Sequence, residues 1–245
     1  MSHADVGRAD VGRAVDAVDW TAIPGPPGRY EPEAAASGLR ALAEATTLLQ
    51  VAAAISCLEN TALYHGHSGA VFPAAAVAAP LLLDIVAHAH PRAAGAAIDL
   101  LELGLRYEPH AGYTRIDTAE AAQVPLCCAI AEQIRARADL LAGHGEQGRQ
   151  LLAEAGPHWR FRVHELFAEA QDVVVFGTAD GVLPMNRFPV EVHAARRITM
   201  AADATADYPP DADTHEGFLR LTAMALDRIR TGAVLYSATC GARVH

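Results

Sequence analysis

A segment of ten residues occurs in two similar copies in this chain, and it constrains the fold more than any other feature of the sequence. Residues 76–85 read AVAAPLLLDI and residues 121–130 read AAQVPLCCAI, so that Pro80 and Pro125 are equivalent at an offset of 45 residues. Each proline falls inside an apolar segment of helical periodicity, where it would kink a helix. A repeat of about 40–47 residues built on paired helices is typical of HEAT-type solenoids.

Apolar residues at steps of three and four predict antiparallel helix pairs around the first copy of this repeat. The first pair is expected over residues 32–45 and 47–64. Pro73 and Pro91 can begin the two helices of the next pair, because proline fits the first turn of a helix. Alanine makes up about a fifth of the chain, which favours helices.

The second half of the chain also fits helical steps, although less regularly. Further helices are predicted over residues 117–142, 146–155, 159–176, 188–206 and 214–232. In the helix over 159–176, Trp159 and Phe161 are expected in the core. The apolar residues 173–176 fit either the buried end of that helix or a short strand.

These patterns predict an all-α fold, a HEAT-like α-solenoid of stacked antiparallel helix pairs. The solenoid is expected as a single domain over residues 20–232. Residues 1–19 contain a short polar tandem repeat, lack the apolar core of a secretion signal and are expected to form a disordered tail. Residues 233–245 show no clear period. The longest apolar segment, residues 70–87, contains two prolines and Asp84, so that no membrane span is expected and the cytoplasm is the expected location.

Part of the chain resembles a known family. The similarity lies in Trp20, the region of Tyr30, and the segments LYHG at 63–66, VFPAA at 71–75 and APLL at 79–82. These resemble motifs of bacterial HEAT-repeat domain proteins of the actinomycete type, over about residues 19–140. The resemblance implies an α-solenoid and no single activity. This chain departs from the family pattern at residues 67–69, which lengthen a loop, and in having alanine where threonine is usual.

The net charge of the chain limits which classes of molecule it can be expected to bind. With 29 acidic and 19 basic residues, its net charge is -10. Binding to nucleic acid needs a basic face and is not expected, and neither is binding to a membrane. We therefore expect a protein-binding or scaffold module that holds a protein partner on its solenoid surface. The acidic charge favours a basic partner, for example in an immunity or regulatory role.

Histidine is the one unusual polar residue type, with 12 copies. Because helix direction alternates in a solenoid, the loop near residue 65 and the loop near residue 110 are expected at the same edge. Loops on a rigid scaffold often carry binding residues. The candidate binding residues at this edge are Tyr64, His65, His67, His110, Tyr113 and Arg115. The alternative hypothesis is thus a small-molecule enzyme or ligand-binding protein that uses this histidine-bearing edge, although no catalytic residue is assigned.

The four cysteines, Cys57, Cys127, Cys128 and Cys240, match neither a disulfide framework nor a zinc motif in their spacing. Cys127 and Cys128 lie in an apolar segment and are interpreted as small buried hydrophobic residues. A vicinal disulfide or redox pair is the alternative. The sequence therefore predicts no metal site and no cofactor.

Overall fold

The computed structural model describes residues 3–194, 197–208, 214–222 and 224–243 of the chain. Contacts within the chain define two compact units. Unit 1 is formed mainly by Met1–Thr114 and Ala136–Glu154, and unit 2 by Arg115–Arg135 and Ala155–Arg243. Each unit therefore takes its residues from two separate stretches of the sequence, instead of the single repeat domain expected over 20–232.

The first segment of unit 1 is mostly helical. Its α-helices are α1 (His3–Asp16), α2 (Pro32–Glu44), α3 (Leu48–Cys57), α4 (Pro73–His88) and α5 (Pro91–Arg106). A 3-10 turn at Trp20–Ala22 and a π turn at Leu58–Ala62 connect some of them. The short strands β1 (Tyr64–His65), β2 (Ala70–Val71) and β3 (Glu108–Pro109) form one small sheet.

The two helix pairs predicted from the sequence are confirmed in this segment. Pro32, Pro73 and Pro91 stand at the start of α2, α4 and α5, where a missing backbone N–H removes no helical hydrogen bond. Thr47 caps α3, and its side chain forms a reciprocal capping box with Gln50. Among the described residues, no helix combines the length and the apolar character that crossing a bilayer requires.

The polar tandem repeat near the N-terminus lies in α1, although the sequence predicts a disordered tail there. Val11 and Val15 are buried, and the indole N–H of Trp20 donates to the carbonyl oxygen of Val15 at 3.0 Å. Arg40 of α2 binds the carboxylate of Asp16 at 2.5 Å. The apolar residues of this segment thus give the helix a buried face.

The two prolines of the sequence repeat occupy different structures. Pro80 lies inside α4, whereas Pro125 lies in β5 (Val124–Pro125), directly before α6 (Leu126–Ala136). Strand β5 pairs with β4 (Arg115–Ile116) in an antiparallel hairpin. The helix predicted to start near residue 117 therefore starts only after Pro125. Two further helices, α7 (Ala138–Ala142) and α8 (Gly145–Ala155), lie in unit 1 apart from the last residue of α8.

Unit 2 is built on a closed β-barrel. Its strands are β6 (Arg160–Glu169), β7 (Asp172–Asp180), β8 (Phe188–Ala194), β9 (Arg197–Tyr208), β10 (Glu216–Thr222) and β11 (Val234–Ser237). They follow one another around the barrel in the order β10-β7-β6-β11-β8-β9, and pairing of β9 with β10 closes it. A 3-10 turn at Leu226–Arg228 precedes β11, and α9 (Ala238–Gly241) follows it and packs against β5, β8 and β11.

The barrel shows that the prediction of an all-α, HEAT-like α-solenoid is wrong. The helix predicted over 159–176 corresponds to β6 and β7, the helix over 188–206 to β8 and β9, and the first part of the helix over 214–232 to β10. For residues 173–176 the strand alternative is confirmed, since three consecutive valines suit a strand.

The predicted helices are strands because the apolar residues of these segments fit both the helical period and the strand period. Phe161, His164 and Ala168 follow one another at steps of three and four, which suits a helix, but Trp159, Phe161 and Val163 also alternate with exposed or half-buried residues as in a strand. Strand pairing over long sequence distances favours the second period. The alternating residues form the barrel core, together with neighbours that include Val175, Val190, Val192, Leu219, Leu221 and Leu235.

Candidate metal centre

Four side chains with metal-binding atoms converge in unit 2. Cys127 and Cys128 lie in the first turn of α6, His158 lies in the loop before β6, and Cys240 lies in α9. The three sulfur atoms and a ring nitrogen of the histidine all lie within 4.8 Å of one another. His158 Nδ1 lies 3.2 Å from Cys240 Sγ. The cysteines are buried and the histidine is half-buried.

This donor set has the composition of a zinc site. Structural zinc is held tetrahedrally by four cysteine or histidine ligands, with bonds of about 2.3 Å to sulfur and about 2.0 Å to nitrogen. Sulfur atoms around such an ion are about 3.8 Å apart, as follows from tetrahedral geometry. The observed separations of up to 4.8 Å therefore need only small side-chain shifts. Within the described residues, no second group of three or more such ligands converges.

The three thiols of this cluster differ in the direction of their pKa shifts. Hydrogen bonds from Cys128 and Cys240 lower the pKa of Cys127 well below its usual value, and they outweigh its burial. The same hydrogen bond to Cys127, together with burial, raises the pKa of Cys128. Contact with Cys127 also raises the pKa of Cys240. Cys127 is therefore the thiol that loses its proton most easily, and a bound dication would displace the protons that the three thiols carry.

A buried ion pair lies beside the cysteine cluster. Arg115 of β4 donates two hydrogen bonds to the carboxylate of Glu191 in β8, at 2.6 and 2.8 Å. It also donates to the backbone oxygens of Gln123 and Gly241. The Glu191 side chain is 2% exposed. Because Gly241 follows Cys240 directly, this arginine ties the ligand-bearing helix α9 to the barrel.

His193 completes the environment of Glu191. Its Nε2 lies 3.2 Å from a Glu191 carboxylate oxygen, and its Nδ1 lies 3.0 Å from the carbonyl oxygen of Ala122. Both ring nitrogens thus lie within hydrogen-bond distance of oxygen atoms. Burial raises the pKa of Glu191, but hydrogen bonds from His193 and Arg115 outweigh burial, and the net shift is downward.

A second polar network supports the histidine ligand. Arg135 of α6 donates to the carbonyl oxygen of His158 at 2.8 Å and forms an ion pair with Asp180 at 2.7 Å. Arg160 of β6 binds Glu132 at 2.6 Å and also reaches Asp180. These contacts fix the loop before β6, and with it the position of His158.

The register of the barrel explains why this face is polar. Tyr236 of β11 is paired with Arg160 of β6 on one side and with Glu191 of β8 on the other. Successive side chains in a strand point to opposite faces, and Phe161 and Leu235 belong to the barrel core. The three polar side chains therefore lie on the outer face. Among the described residues, neither Glu132 Oε2 nor the Tyr236 hydroxyl has a hydrogen-bond partner, although both atoms are buried.

Replacing Glu132 with glutamine is expected to stabilise the protein at neutral pH. Burial raises the pKa of Glu132 more than Arg160 lowers it, so that folding disfavours its charged form. The wild-type protein therefore loses stability as pH rises above the unfolded-state pKa of Glu132, about 4.3, and through its raised folded-state pKa. At pH 7 we expect Glu132→Gln to gain on the order of 1 kcal/mol in urea unfolding, and the gain should vanish near pH 4. Glu120→Gln, which alters a carboxylate on the same arginine, is the control. Lower stability of Glu132→Gln at pH 7 would contradict the prediction.

The histidine-bearing edge predicted from the sequence is divided between the two units. In unit 1, the small sheet pairs β2 with β1 on one side and with β3 on the other. The loop after His65 leads to the start of β2, whereas His110 follows β3 at the opposite end of β2, where its backbone N–H donates to the carbonyl oxygen of Val71. Tyr64 is buried and donates to the carbonyl oxygen of Leu100 at 2.6 Å. The rings of His65 and His67 lie 6.1 Å apart, and the His110 ring lies 6.1 Å from that of Tyr113.

Arg115, the sixth residue predicted for this edge, belongs to unit 2. There it forms the buried pair with Glu191. The binding role of the other five residues stays a prediction. The residues that sequence reasoning missed are the cysteines of unit 2 and His158, because no motif spacing connects them. Three of the four cysteines fall in unit 2, but this grouping becomes visible only once the fold is known.

Comparison of the chain with protein-family models, with curated proteins and with solved structures finds no match. The resemblance to HEAT-repeat proteins therefore stays a prediction. The chemistry of the site is the basis on which a function can be inferred.

Proposed function

We propose that this chain is a zinc-binding protein with a structural metal centre formed by Cys127, Cys128, His158 and Cys240. The observation that carries the proposal is the convergence of four donor atoms within 4.8 Å. Sulfur and imidazole ligands in tetrahedral arrangement are preferred by zinc, whereas magnesium and calcium prefer oxygen ligands. Cysteine and histidine in a three-to-one ratio are a common ligand set of structural zinc.

The four protein donors favour a structural role over a catalytic one. Catalytic zinc centres have three protein ligands and keep a fourth position for water or substrate. Here the fourth position belongs to a protein side chain, and the cysteine ligands are buried. An ion at this place would join α6, the loop before β6, and α9. Since His158 and Cys240 are 82 residues apart, it would connect the two ends of the barrel sequence.

The residues around the centre suit a zinc ion with three thiolates, whose net charge is -1. The pKa of Arg115 is raised by Glu191 and also by the charges of Cys128 and Cys127. Its guanidinium therefore lies close enough to offset part of the negative charge of the site. Arg135 acts on the histidine ligand through the His158 carbonyl oxygen. Groups of this kind orient metal ligands and tune their affinity. A reducing compartment keeps cysteines available as thiolates, and we propose the cytoplasm as the location for that reason.

The metal content of the purified chain tests the proposal. We expect one zinc ion per chain by elemental mass spectrometry, and visible absorption bands of tetrahedral cobalt when Co²⁺ replaces zinc. Cys240→Ser should lose the ion or bind it far more weakly. Cys57→Ser is the matched control, because Cys57 lies in α3 of unit 1, outside the cluster, and should retain one ion per chain.

Two results would contradict a zinc centre at this place. The first is a fully reduced wild-type chain that contains no metal and takes up neither Zn²⁺ nor Co²⁺. The second is equal loss of metal from Cys57→Ser and Cys240→Ser, since the ligands would then lie elsewhere.

A further inference from the structure

The outer face of β6, β7 and β10 exposes three of the six phenylalanines of the chain. Phe176 of β7 lies opposite Phe218 of β10, and their ring centroids are 5.0 Å apart. Phe218 is 38% exposed, and Phe167 of β6 is 45% exposed. Neighbouring apolar side chains that form an exposed patch often mark an interaction surface.

Carboxylates flank these rings. Glu165 of β6 lies opposite Phe176 in the strand register, and Glu216 of β10 lies opposite Thr178, the second residue after Phe176. Both glutamates are exposed, and neither forms an ion pair with a described residue. We call Phe167, Phe176 and Phe218, together with Glu165 and Glu216, the aromatic patch.

Two arginines of the same sheet face, Arg162 and Arg220, already bind carboxylates. The ring of His164 packs edge-on against Phe176, with 6.1 Å between the ring centroids. Arg220 binds Glu169 at 3.0 Å and lies 3.9 Å from Asp172. Arg162 binds Glu120. The aromatic patch therefore presents ring faces together with two negative charges that no described cation neutralises.

We propose that the aromatic patch binds arginine or lysine side chains of an extended basic segment in a partner protein. A guanidinium or ammonium group is attracted to the face of an aromatic ring, and a nearby carboxylate adds a charge-assisted hydrogen bond. The alternation of ring and carboxylate along the strands suits a segment in which cationic and apolar residues alternate. This inference concerns a different part of unit 2 from the zinc site and does not depend on it.

The charge of the chain decides which occupant fits. The net charge is -10, so a second copy would bring the same carboxylates and the same excess negative charge to the patch, and repulsion would oppose pairing. Phosphate-bearing partners are disfavoured for the same reason. A basic protein segment complements both the rings and the acids.

A labelled peptide tests this binding. The probe is an amidated nine-residue peptide of alternating arginine and valine with an N-terminal fluorescein, and its anisotropy is followed at low salt. Binding to the wild-type chain is expected, and Glu165→Gln/Glu216→Gln should weaken it about fivefold, the scale of two exposed ion pairs. Phe218→Thr should weaken it as well, because the ring face is lost. A peptide with citrulline in place of arginine should bind far more weakly, since it lacks the charge.

The control variant is Glu31→Gln/Glu44→Gln, which removes two exposed carboxylates from unit 1 and changes the net charge equally. It should bind the peptide like the wild type. Equal weakening in this control would overturn the proposal, because binding would then follow net charge alone. Absence of binding to the wild type would overturn it too, as would a wild-type dimer in sedimentation that Phe218→Thr dissociates, which would show that a second copy occupies the patch. Circular dichroism verifies that each variant is folded.

Discussion

Chelation of zinc is expected to destabilise unit 2 by several kcal/mol and to leave unit 1 largely unaffected. All four proposed ligands lie in unit 2, and apparent binding free energies of structural zinc reach about 10 kcal/mol or more. Because the ligands come from distant segments, the ion acts as a cross-link that the unfolded chain lacks. Its removal should therefore reduce the free energy of unfolding more than any single substitution proposed here.

The two tryptophans of the chain report on the two units separately. Trp159 follows the ligand His158 in unit 2, and Trp20 lies in unit 1. In a Trp20→Phe background, urea unfolding followed by Trp159 fluorescence should shift to lower urea after chelation. In a Trp159→Phe background, the transition reported by Trp20 should move much less. An unchanged Trp159 transition in a chain shown to have lost its metal would contradict a stabilising role for the ion.

Glu191→Ala is expected to reduce the free energy of unfolding by about 3–5 kcal/mol, because it leaves a half-buried guanidinium without its carboxylate. Arg115 is 19% exposed and Glu191 2% exposed in this pair. Water therefore cannot fully replace the lost partner. Glu146→Ala is the matched control, since it breaks a pair with Arg149 in which both side chains are largely exposed, and such pairs contribute about 1 kcal/mol or less.

The effect of Glu191→Ala should also depend on pH. The pKa of Glu191 is lowered in the folded state, so its stabilising contribution is present above the unfolded-state value of about 4.3 and is lost as pH falls through the folded-state value. The difference between wild type and variant should hence diminish below about pH 4. A difference that stays constant down to pH 2 would indicate lost packing instead of lost charge. Equal effects of Glu191→Ala and Glu146→Ala at pH 7 would show that the buried pair is no stronger than a surface pair.

Helices α2 to α5 could be predicted from the sequence because local signals specify them. Prolines at helix starts, a capping box at Thr47 and regular apolar steps all act within a few residues of each other. The barrel could not be predicted in the same way. Its strand β6 pairs with β11, so that Phe161 lies opposite Leu235 across more than 70 residues, and the apolar residues of 159–167 satisfy a helical period as well as a strand period.

Single features of the candidate site could be predicted from the sequence, but the convergence of its residues could not. The sequence predicts Arg115 as a binding residue of a loop edge, whereas the structure pairs it with Glu191, which lies 76 residues away, and nothing in the local sequence connects the two. Cys127 and Cys128 are buried, as the apolar segment predicts. Their convergence with His158 and Cys240 follows from the position of α9 against β5, β8 and β11, which depends on the closed barrel and not on residue spacing.

The pairing of β11 with β6 has a consequence for the order in which the chain folds during synthesis. Strand β6 leaves the ribosome first among the barrel strands and β11 last, so that the barrel cannot close while its later residues are still inside the exit tunnel. Helices α2 to α5 lie within the first 106 residues and can pack long before that. From the emergence of β6 until the release of β11, the nascent chain thus carries an unpaired strand edge and free thiols, which makes unit 2 the part of the chain most dependent on chaperones.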